Sequence, residues 1–305
     1  MRNSVQAPAA VVMVRPHHFC SNPQTMRDNA YQTSNSNRDA KQQAYAEVSA
    51  AVRQLERHGV LVHLFEDEQQ ITPDSVFPNN WFSTHADGRV VIYPMFAENR
   101  RLEVRPDIIE LLKAQYQVAE VVDYTSYVQQ QLFLEGTGSL VIDHLNHLAF
   151  AAVSKRTSPA LVRKVCQQLN LTPVIFNAFD QQGVAVYHTN VMMCVASQFV
   201  LICLQMVPEP ERAELLAYFQ QSGREVIDLS FQQIQSFCAN AIELTGSQGP
   251  LLVMSETASN ALTGEQIQRI EHTARLVSIQ VPTIESAGGS ARCMIAGIHL
   301  PTATA

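Results

Sequence analysis

Residues 131–143 read QLFLEGTGSLVID, a glycine-rich turn with one carboxylate that leads into an apolar run. Four other stretches have the same plan, in which a turn-rich segment carries a polar residue and continues as a strand-like segment. They are PDSVFPNNWFSTH (73–85), GVAVYHTNVMMCV (183–195), SFCANAIELTGS (236–247) and SAGGSARCMIAGI (286–298). A segment type that recurs along one chain indicates a repeat architecture.

One polar position recurs in these five segments at nearly constant spacing. The residues are Asn80, Glu135, His188, Asn240 and Cys293, separated by 55, 53, 52 and 53 positions. A period of this size is typical of propellers and other repeat folds. If each repeat is a blade, each returns the chain to the same end of a central axis. The spacing therefore predicts that the five polar residues converge on one pocket.

The segments between these turns alternate between helical and strand-like patterns. Residues 40–58 carry apolar residues at helical spacing, Gly59 is suited to end that helix, and the apolar run 60–65 follows as a strand. Comparable helix-then-strand units lie near residues 108–122, 158–176, 215–229 and 267–281. These units predict an α/β fold. A doubly wound sheet is the alternative, but the chain has no GxGxxG or GxxxxGK phosphate-binding motif.

Composition and charge narrow the class of protein. Of 305 residues, 46% are hydrophobic and 16% are charged, which is typical of globular proteins. The chain has 21 Lys and Arg against 28 Asp and Glu, a formal net charge of −7, and no basic run that would indicate a nucleic-acid partner. It shows no signal-peptide core, no membrane-spanning stretch and no CxxC pair among its six cysteines. We therefore expect a cytoplasmic protein with free thiols and no membrane partner.

A cysteine, a histidine and a carboxylate occupy three of the five repeat positions. A catalytic cysteine needs a stabilised thiolate and a proton donor for the leaving group, roles that suit Cys293 and His188. Glu135 lies in an apolar stretch, where a carboxylate needs an imidazole or a substrate N–H as its partner. Gly288 and Gly289 precede Cys293, and we expect them to leave backbone N–H groups free for a ligand. The alternative for Cys293 is an inert buried thiol, the expected state of the other strand and helix cysteines.

The ordered motifs VFPNNWF, LEGTGSLVID, YHTNVMM, CANAIEL and GGSARCM resemble those of the guanidino-group-modifying superfamily. Its members include arginine deiminase, dimethylarginine dimethylaminohydrolase and the amidinotransferases, and the chain most resembles the citrulline utilization hydrolases. The resemblance runs from about Val12 to Leu300. It implies a five-bladed α/β propeller (pentein) as a single domain over residues 1–305. It also implies a hydrolase that uses no metal and no organic cofactor.

The resemblance further implies a role for each conserved motif residue. Cys293 would be the nucleophile, His188 the general acid and then base, and Glu135 their acidic partner, while Asn240 would belong to the substrate-binding set. The implied reaction is hydrolysis of citrulline, a small amino-acid substrate, to ornithine, carbon dioxide and ammonia through an S-carbamoyl enzyme. A homodimer is one option for the assembly.

Two amides stand where members that act on a guanidinium carry aspartate. These residues are Asn80 and Asn190. A carboxylate is the natural partner of a delocalised cation, whereas an amide offers a donor and an acceptor without charge. The amides therefore favour a neutral ureido group. If Asp74 or Glu135 supplies the charge instead, an arginine or dimethylarginine hydrolase or an amidinotransferase stays open, and a propeller that only binds is a further alternative.

Three further sites resemble substrate-contacting parts of this superfamily. Asp74 is a candidate contact for the α-amino group of the substrate, although Pro-Asp-Ser is also an ordinary turn. Either Arg100 or Arg101 resembles the arginine that holds the α-carboxylate, a task suited to a guanidinium fork. Phe19 begins a loop, residues 19–29, that resembles a lid over the substrate.

Overall fold

The computed structural model describes residues 5–26, 29, 31–32 and 39–303. In these ranges the strands form five three-stranded sheets with one shared plan. A central strand pairs antiparallel with one neighbour and parallel with the other. The parallel neighbour follows a helical crossover, as parallel pairing requires. The α/β class that the sequence predicts is confirmed.

The strands are numbered in chain order. They are β1 (Ala10–Pro16), β2 (Leu61–Asp67), β3 (Phe82–Thr84), β4 (Arg89–Ile92), β5 (Glu120–Asp123), β6 (Val141–Asp143), β7 (Leu148–Ala152), β8 (Thr172–Phe176), β9 (Met193–Val195), β10 (Phe199–Ile202), β11 (Glu225–Asp228), β12 (Ile242–Gly246), β13 (Gly249–Ser255), β14 (Arg275–Ile279) and β15 (Ala296–Gly297). The sheets are β3-β4-β5, β6-β7-β8, β11-β10-β9, β12-β13-β14 and β15-β1-β2. The last sheet joins the two ends of the described chain, because β1 pairs with both β15 and β2.

The helices fall into long crossovers and short turns. They are α1 (Ala40–Arg57), α2 (Pro106–Gln115), α3 (Gly136–Ser139), α4 (Pro159–Leu169), α5 (Thr189–Met192), α6 (Glu209–Gln221), α7 (Phe231–Gln235), α8 (Glu256–Ala261), α9 (Gly264–Glu271), α10 (Pro282–Glu285) and α11 (Ala291–Met294). Helices α1, α2, α4 and α6, and the pair α8 and α9, lie between a central strand and its parallel neighbour. Their order matches the helix-then-strand units read from the sequence.

The first crossover shows why the periodic pattern is a good predictor. Helix α1 buries Ala44, Val48, Ala51 and Leu55, which fall on one face at the helical period. Gly59 then takes a φ of +85°, a conformation that a residue with a side chain rarely adopts, and the chain turns into β2. A Cβ at this position would also lie 2.6 Å from the Cβ of Ser247, so the close approach of the two segments requires glycine.

Buried apolar side chains fill the space between the sheets and their helices. In one such cluster Phe150 and Phe219 pack with ring centroids 5.4 Å apart, which joins β7 to α6. Truncating a buried phenylalanine to alanine costs about 3–5 kcal/mol of stability, so a packed core of this kind holds the strand ends in fixed positions. No helix in the described ranges is both long enough and apolar enough to cross a membrane.

Candidate active site

The polar residues of the repeat lie just before, or in, the short turns that lead into the antiparallel strands. Glu135 precedes α3, His188 precedes α5, and Cys293 lies within α11. Asn80 ends a 3₁₀ turn before β3, and Asn240 stands two residues before β12. The 3₁₀ turn contacts α3 and α11, and α3 contacts α5, so these positions meet in space. The one-turn helices themselves were not predicted, because four residues are too few to show a helical period.

A buried hydrogen bond between an imidazole and a carboxylate joins two of the repeat positions. Nε2 of His188 lies 2.8 Å from Oε2 of Glu135, and the other carboxylate oxygen accepts the N–H of Phe96 at 2.9 Å. Guanidinium nitrogens of Arg156 and Arg100 lie 3.5 Å and 3.8 Å from Oε2. Burial raises the pKa of Glu135, but the charges of Arg156, His188 and Arg100 outweigh it and hold that pKa well below its usual value. Glu135 is therefore ionised at neutral pH.

His188 is uncharged at neutral pH, and its hydrogen bond to Glu135 sets the tautomer of the imidazole. Burial lowers the pKa of His188, and the hydrogen bond to Glu135 opposes that shift without cancelling it. Because ionised Glu135 can only accept, Nε2 carries the proton and Nδ1 is the basic nitrogen. A Cβ placed on Gly138 would lie 2.8 Å from Nδ1. Because Gly138 has no side chain, the space next to this nitrogen stays open.

The sulfur of Cys293 is held by two amides. Nδ2 of Asn190 lies 3.4 Å and Nδ2 of Asn240 lies 3.3 Å from Sγ. The thiol is buried, with 2% of the residue exposed. N–H donors directed at sulfur stabilise negative charge that develops there, as oxyanion-hole donors do for oxygen.

The two amides are oriented by different contacts. Asn240 accepts the N–H of Arg292 at its Oδ1 (3.1 Å), and its Nδ2 also donates to the carbonyl oxygen of Asn190 at 3.1 Å. Asn190 directs Nδ2 at the sulfur, which leaves its buried Oδ1 without a partner among the described residues. A buried acceptor without a partner is costly, and substrate is the natural source of a donor.

Asn80 is the reverse of Asn190, because its oxygen is hydrogen-bonded and its nitrogen is left without a partner. Its Oδ1 accepts a hydrogen bond from Arg100 at 2.9 Å, while Arg100 also donates to both oxygens of Glu103 at 2.9 Å. This fork fixes the guanidinium, which in turn fixes the amide. Nδ2 of Asn80 is buried, and within the described ranges it has no acceptor. A Cβ on Gly138 would lie 2.4 Å from it, so this donor and Nδ1 of His188 flank the same point.

A pocket with about 260 Å³ of empty space gathers several of these groups. Cys293, His188 and Asn80 line it, together with Asp74 and Arg156. Asn190 and Asn240 do not line it, although both contact the sulfur of Cys293. Across the described part of the chain, no group of three histidine, cysteine or carboxylate side chains is arranged to hold a metal ion.

Asp74 supplies a carboxylate oxygen to this pocket. Its Oδ2 accepts hydrogen bonds from Nδ2 of Asn22 (2.8 Å) and Oγ1 of Thr25 (3.3 Å). Its Oδ1 is buried, and no described residue donates to it. Burial raises the pKa of Asp74, and the charge of Arg100, 3.7 Å away, acts in the other direction. A cationic group next to Oδ1 would therefore be strongly favoured.

Of the two adjacent arginines, Arg100 is the one that lines the pocket. Arg100 lines the pocket, whereas Arg101 donates to the backbone carbonyls of Met95 (3.1 Å) and Phe96 (2.9 Å) and does not line it. Arg100 is occupied by Glu103, an acidic partner that the sequence analysis did not identify.

Arg156 was missed from the sequence, because it stands outside the repeat position and follows β7 by four residues. It lines the pocket, donates to the carbonyl oxygen of Thr25 at 3.5 Å, and lies 5.0 Å from the ring centroid of Tyr187.

Only part of the early loop reaches the pocket. Phe19 is 1% exposed and does not line the pocket, although it belongs to the hydrophobic cluster that also contains the lining residues Phe77 and Cys293. Thr25 and Asn29 do line the pocket, and residues 27 and 28 of this loop lie outside the described residues. Asn22 reaches the site indirectly through its bond to Asp74.

The expectation of free N–H groups at the paired glycines is wrong for Gly288. Its N–H donates to the carbonyl oxygen of Glu285 at 2.9 Å. A Cβ at Gly289 would lie 2.8 Å from the ring of Phe77 and 3.3 Å from the Cβ of Cys293. These glycines therefore let side chains of the protein approach the cysteine turn, which the sequence could not reveal because Phe77 is distant in the chain.

The chain is similar to known proteins in sequence and in fold. Residues 15–300 match the family model for N,N dimethylarginine dimethylhydrolase, eukaryotic. No curated protein sequence matches the chain. The N-terminal domain of ArgZ, an arginine dihydrolase from cyanobacteria bound to its substrate, has the same fold with a TM-score of 0.76, at 15% identity over 96% of this chain and 98% of that chain.

Two further solved structures share the fold. AgrE in complex with L-arginine gives a TM-score of 0.76 at 17% identity, over 96% of this chain but only 40% of the AgrE chain. Likewise, the chain spans about 40% of full-length ArgZ. The dimethylarginine hydrolase of Pseudomonas aeruginosa, a cysteine-to-serine variant complexed with citrulline, gives a TM-score of 0.68 at 16% identity over 95% and 99% of the two chains. The match over residues 15–300 shows that this chain belongs to the N,N-dimethylarginine dimethylhydrolase family of the guanidino-modifying pentein superfamily, and the solved structures share its fold.

Proposed function

We propose that this protein is a cysteine-dependent hydrolase that acts on the ureido carbon of citrulline and releases ornithine, carbon dioxide and ammonia. The observation that carries the proposal is the polarity of Asn80, whose unpartnered atom is the donor Nδ2. A ureido group has a carbonyl oxygen to accept that donor, whereas every nitrogen of a guanidinium carries hydrogen and none can accept. If the amide of Asn80 turned over, its nitrogen would face Arg100 and the hydrogen bond from Arg100 to its oxygen would be lost.

The other amide accommodates the rest of the ureido group. The unpartnered Oδ1 of Asn190 accepts an N–H of the substrate, while Nδ2 of the same residue stays on the sulfur of Cys293. Asn190 alone does not discriminate, because a guanidinium also offers N–H donors. Together Asn80 and Asn190 present one donor and one acceptor, which complements a planar ureido group without adding charge.

The amino-acid end of the substrate is assigned to Asp74 and Arg156. The free Oδ1 of Asp74 suits an α-ammonium group, and Arg156 suits an α-carboxylate through its planar fork. Both residues line the pocket that also contains Cys293. Arg100 is then a positioning residue for Asn80, since Glu103 occupies its fork.

The reaction begins when the thiol proton of Cys293 passes to Nδ1 of His188 and the thiolate attacks the ureido carbon. Asn190 and Asn240 hold the sulfur during attack. As the tetrahedral intermediate collapses, the bond between this carbon and the side-chain nitrogen breaks, His188 returns the proton to that nitrogen, and ornithine leaves.

The second half of the reaction removes the S-carbamoyl group. His188 takes a proton from water at Nδ1, and the hydroxide formed attacks the thioester-like carbon. The carbon–sulfur bond breaks, the thiol is regenerated with the proton from His188, and carbamate decays to carbon dioxide and ammonia. Ionised Glu135 stabilises the imidazolium that forms in both halves.

Arginine is the second candidate substrate, because Asp74 lines the pocket and ionised Glu135 is hydrogen-bonded to His188, which also lines it. Their negative charge could hold a guanidinium, and ArgZ and AgrE, which share the fold, are an arginine dihydrolase and a protein crystallised with L-arginine. A dimethylarginine hydrolase or an amidinotransferase would use the same Cys293. A propeller that only binds is disfavoured by the assembled His188–Glu135 pair.

The fold proposal is a closed five-bladed propeller that forms a single domain. It is supported by a shared cavity that takes residues from the antiparallel strand of each of the five sheets, β3, β6, β9, β12 and β15. Pairing of β1 with β15 also brings the start and end of the described chain into one blade.

Product analysis with four substrates tests this function. Purified protein is incubated separately with citrulline, arginine, asymmetric dimethylarginine, and arginine plus an acceptor amine, and the released amines are quantified. Ornithine from citrulline, at a higher kcat/KM than any product from the other three, supports the proposal. Absence of ornithine from citrulline under all conditions would overturn it, and turnover of arginine alone would establish the second candidate.

A further inference from the structure

A second cavity lies on the far side of the catalytic turns. It holds about 660 Å³ of empty space, part of it open to solvent. Its walls include Ser83, Ile142, Cys194, Ile242 and Ala296, one from each antiparallel strand. These strands start after the turns that carry the proposed catalytic residues. Arg292 of α11 lines this cavity, whereas its neighbour Cys293 lines the cysteine pocket, so the short turns lie between the two, and the reaction as derived above does not use this cavity.

The wall of this cavity concentrates groups that carry or accept positive charge. Arg292, His144 and His299 line it. The rings of His144 and His299 stack with centroids 3.7 Å apart, and His85 lies 6.3 Å from His144. Burial lowers the pKa of all three histidines, to about 4 for His299 and about 3 for His85. The stacked rings are therefore neutral at pH 7, and a negative charge in the cavity would raise the pKa of both.

Arg292 is a cation without a counter-ion. Its NH1 donates to the carbonyl oxygen of Ile295 at 2.9 Å, and no carboxylate of the residues that the structure describes lies within 4.0 Å of its guanidinium. The one carboxylate on the cavity wall, Glu243, is bound through Oε2 by the backbone N–H (2.7 Å) and hydroxyl (2.6 Å) of Ser197. Arg292 is half-buried, and a half-buried cation without a counter-ion favours an anion beside it.

We propose that this cavity is a binding site for a small oxyanion, such as phosphate or bicarbonate, held by Arg292 and the paired rings of His144 and His299. Arg292 supplies a planar set of N–H donors, which matches oxyanions well. Each imidazole adds one donor when neutral and a second when protonated.

The oxyanion would also act on the catalytic thiol, because Arg292 is the neighbour of Cys293 in α11. Its charge interacts with both Cys293 and Cys194. An anion on the other side of Arg292 offsets that positive charge and weakens its stabilisation of a Cys293 thiolate. The site is thus an inhibitory one. This second step rests on the proposed function of Cys293 as the reactive thiol, whereas anion binding itself does not.

Binding should tighten as pH falls. Burial, together with the neighbouring His299, His85, Arg292 and His147, holds the pKa of His144 well below its usual value. A bound anion would raise that pKa, so lower pH favours the protonated ring and the bound anion together. Two other titratable groups face the cavity. Burial raises the pKa of Cys194 to about 12, which leaves it a neutral thiol, and burial raises the pKa of Glu243, whose charge then falls on acidification.

Titration calorimetry at constant ionic strength tests the site directly. Inorganic phosphate and bicarbonate are titrated separately into the wild type, Arg292→Gln and His144→Gln, with His63→Gln as the matched control. His63 is a half-buried histidine that contacts Tyr116 and is not part of the cavity wall. We expect the wild type and His63→Gln to bind one anion equally, and each cavity variant to weaken that binding by about tenfold or more. The anion that binds more tightly, phosphate or bicarbonate, is the one for which the site is suited.

The anion site would be overturned if the wild type showed no saturable binding. It would also be overturned if Arg292→Gln and His144→Gln bound the anion as tightly as the wild type while circular dichroism showed both variants folded.

The effect of the bound anion on Cys293 is tested by the rate of Cys293 alkylation with iodoacetamide. Saturating anion should slow alkylation in the wild type and leave the rate in folded Arg292→Gln unchanged. Binding without any effect on this rate would overturn the inhibitory role and retain the anion site.

Discussion

Nε2 of His188 lies 2.8 Å from Oε2 of Glu135, although the two residues are 53 positions apart in the sequence. The separation of 53 residues equals the spacing of the sequence repeat. Equivalent positions of consecutive repeats therefore form one buried acid–histidine pair. The pair sets the tautomer of the imidazole and leaves Nδ1 for chemistry. Each repeat supplies one group, and the fold supplies their proximity.

Replacing Glu135 by glutamine should disable proton transfer without emptying the site. We expect kcat to fall by about a hundredfold or more, because the imidazolium loses its charged partner. Glu135 raises the pKa of His188, so its removal lowers that pKa further below 6.5. The acid limb of the kcat/KM profile should therefore move to lower pH. A reduced kcat with an unshifted acid limb would indicate that Glu135 has only a structural role.

Replacing Asn80 by aspartate should change the preference between substrates. Arg100 can still bind one carboxylate oxygen, and the other oxygen replaces the Nδ2 donor by a charged acceptor. The ratio of kcat/KM for citrulline to that for arginine should fall by at least about tenfold, the scale of one charged hydrogen bond. Asn80→Ala is the control, since it should lower citrulline turnover without raising arginine turnover. An unchanged ratio in Asn80→Asp would contradict the role given to Nδ2.

Asp74→Asn should weaken binding of the amino-acid end of the substrate. Its free carboxylate oxygen loses its charge, so KM for citrulline should rise by about tenfold to a hundredfold with little change in kcat. The matched control is a citrulline analogue without the α-amino group, which should be turned over equally by the wild type and the variant. A similar loss with both substrates would show that Asp74 supports the loop through Asn22 and Thr25 instead.

Gly138→Ala should obstruct the reaction at its centre. The added methyl group would lie 2.4 Å from Nδ2 of Asn80 and 2.8 Å from Nδ1 of His188, closer than atoms pack. We expect turnover to fall by about a hundredfold or more, because displacing a catalytic group by a fraction of an ångström is costly. Gly264→Ala, where a methyl group meets nothing within 4 Å, should keep full turnover. Full turnover in Gly138→Ala would contradict the placement of both nitrogens.

The repeat could be predicted from the sequence because the five polar residues differ in type but keep a nearly constant spacing. The long crossovers were visible for a related reason, since α1 shows more than four helical turns of periodic burial. What the sequence hid were contacts made by residues outside the repeat register. Arg156 and Glu103 follow no period, and their roles depend on which side chains the fold brings beside them.

Orientation was the other hidden quantity. Sequence reasoning gave amides at positions 80 and 190, but an amide can present either its donor or its acceptor. The orientation of Asn80 depends on Arg100, and the orientation of Asn190 depends on Cys293. Likewise, the position of Arg292 on the wall of a second cavity follows from the short helix α11, which the sequence did not predict.

Rapid acid quench of the wild type with excess citrulline, followed by peptide mass analysis, tests the central claim that Cys293 attacks a ureido carbon. The peptide that contains Cys293 should gain the mass of one carbamoyl group during turnover. The other five cysteines, of which Cys20 is exposed, serve as internal controls and should remain unmodified. Steady release of ornithine with no adduct on Cys293, and with undiminished turnover in Cys293→Ser, would contradict the account.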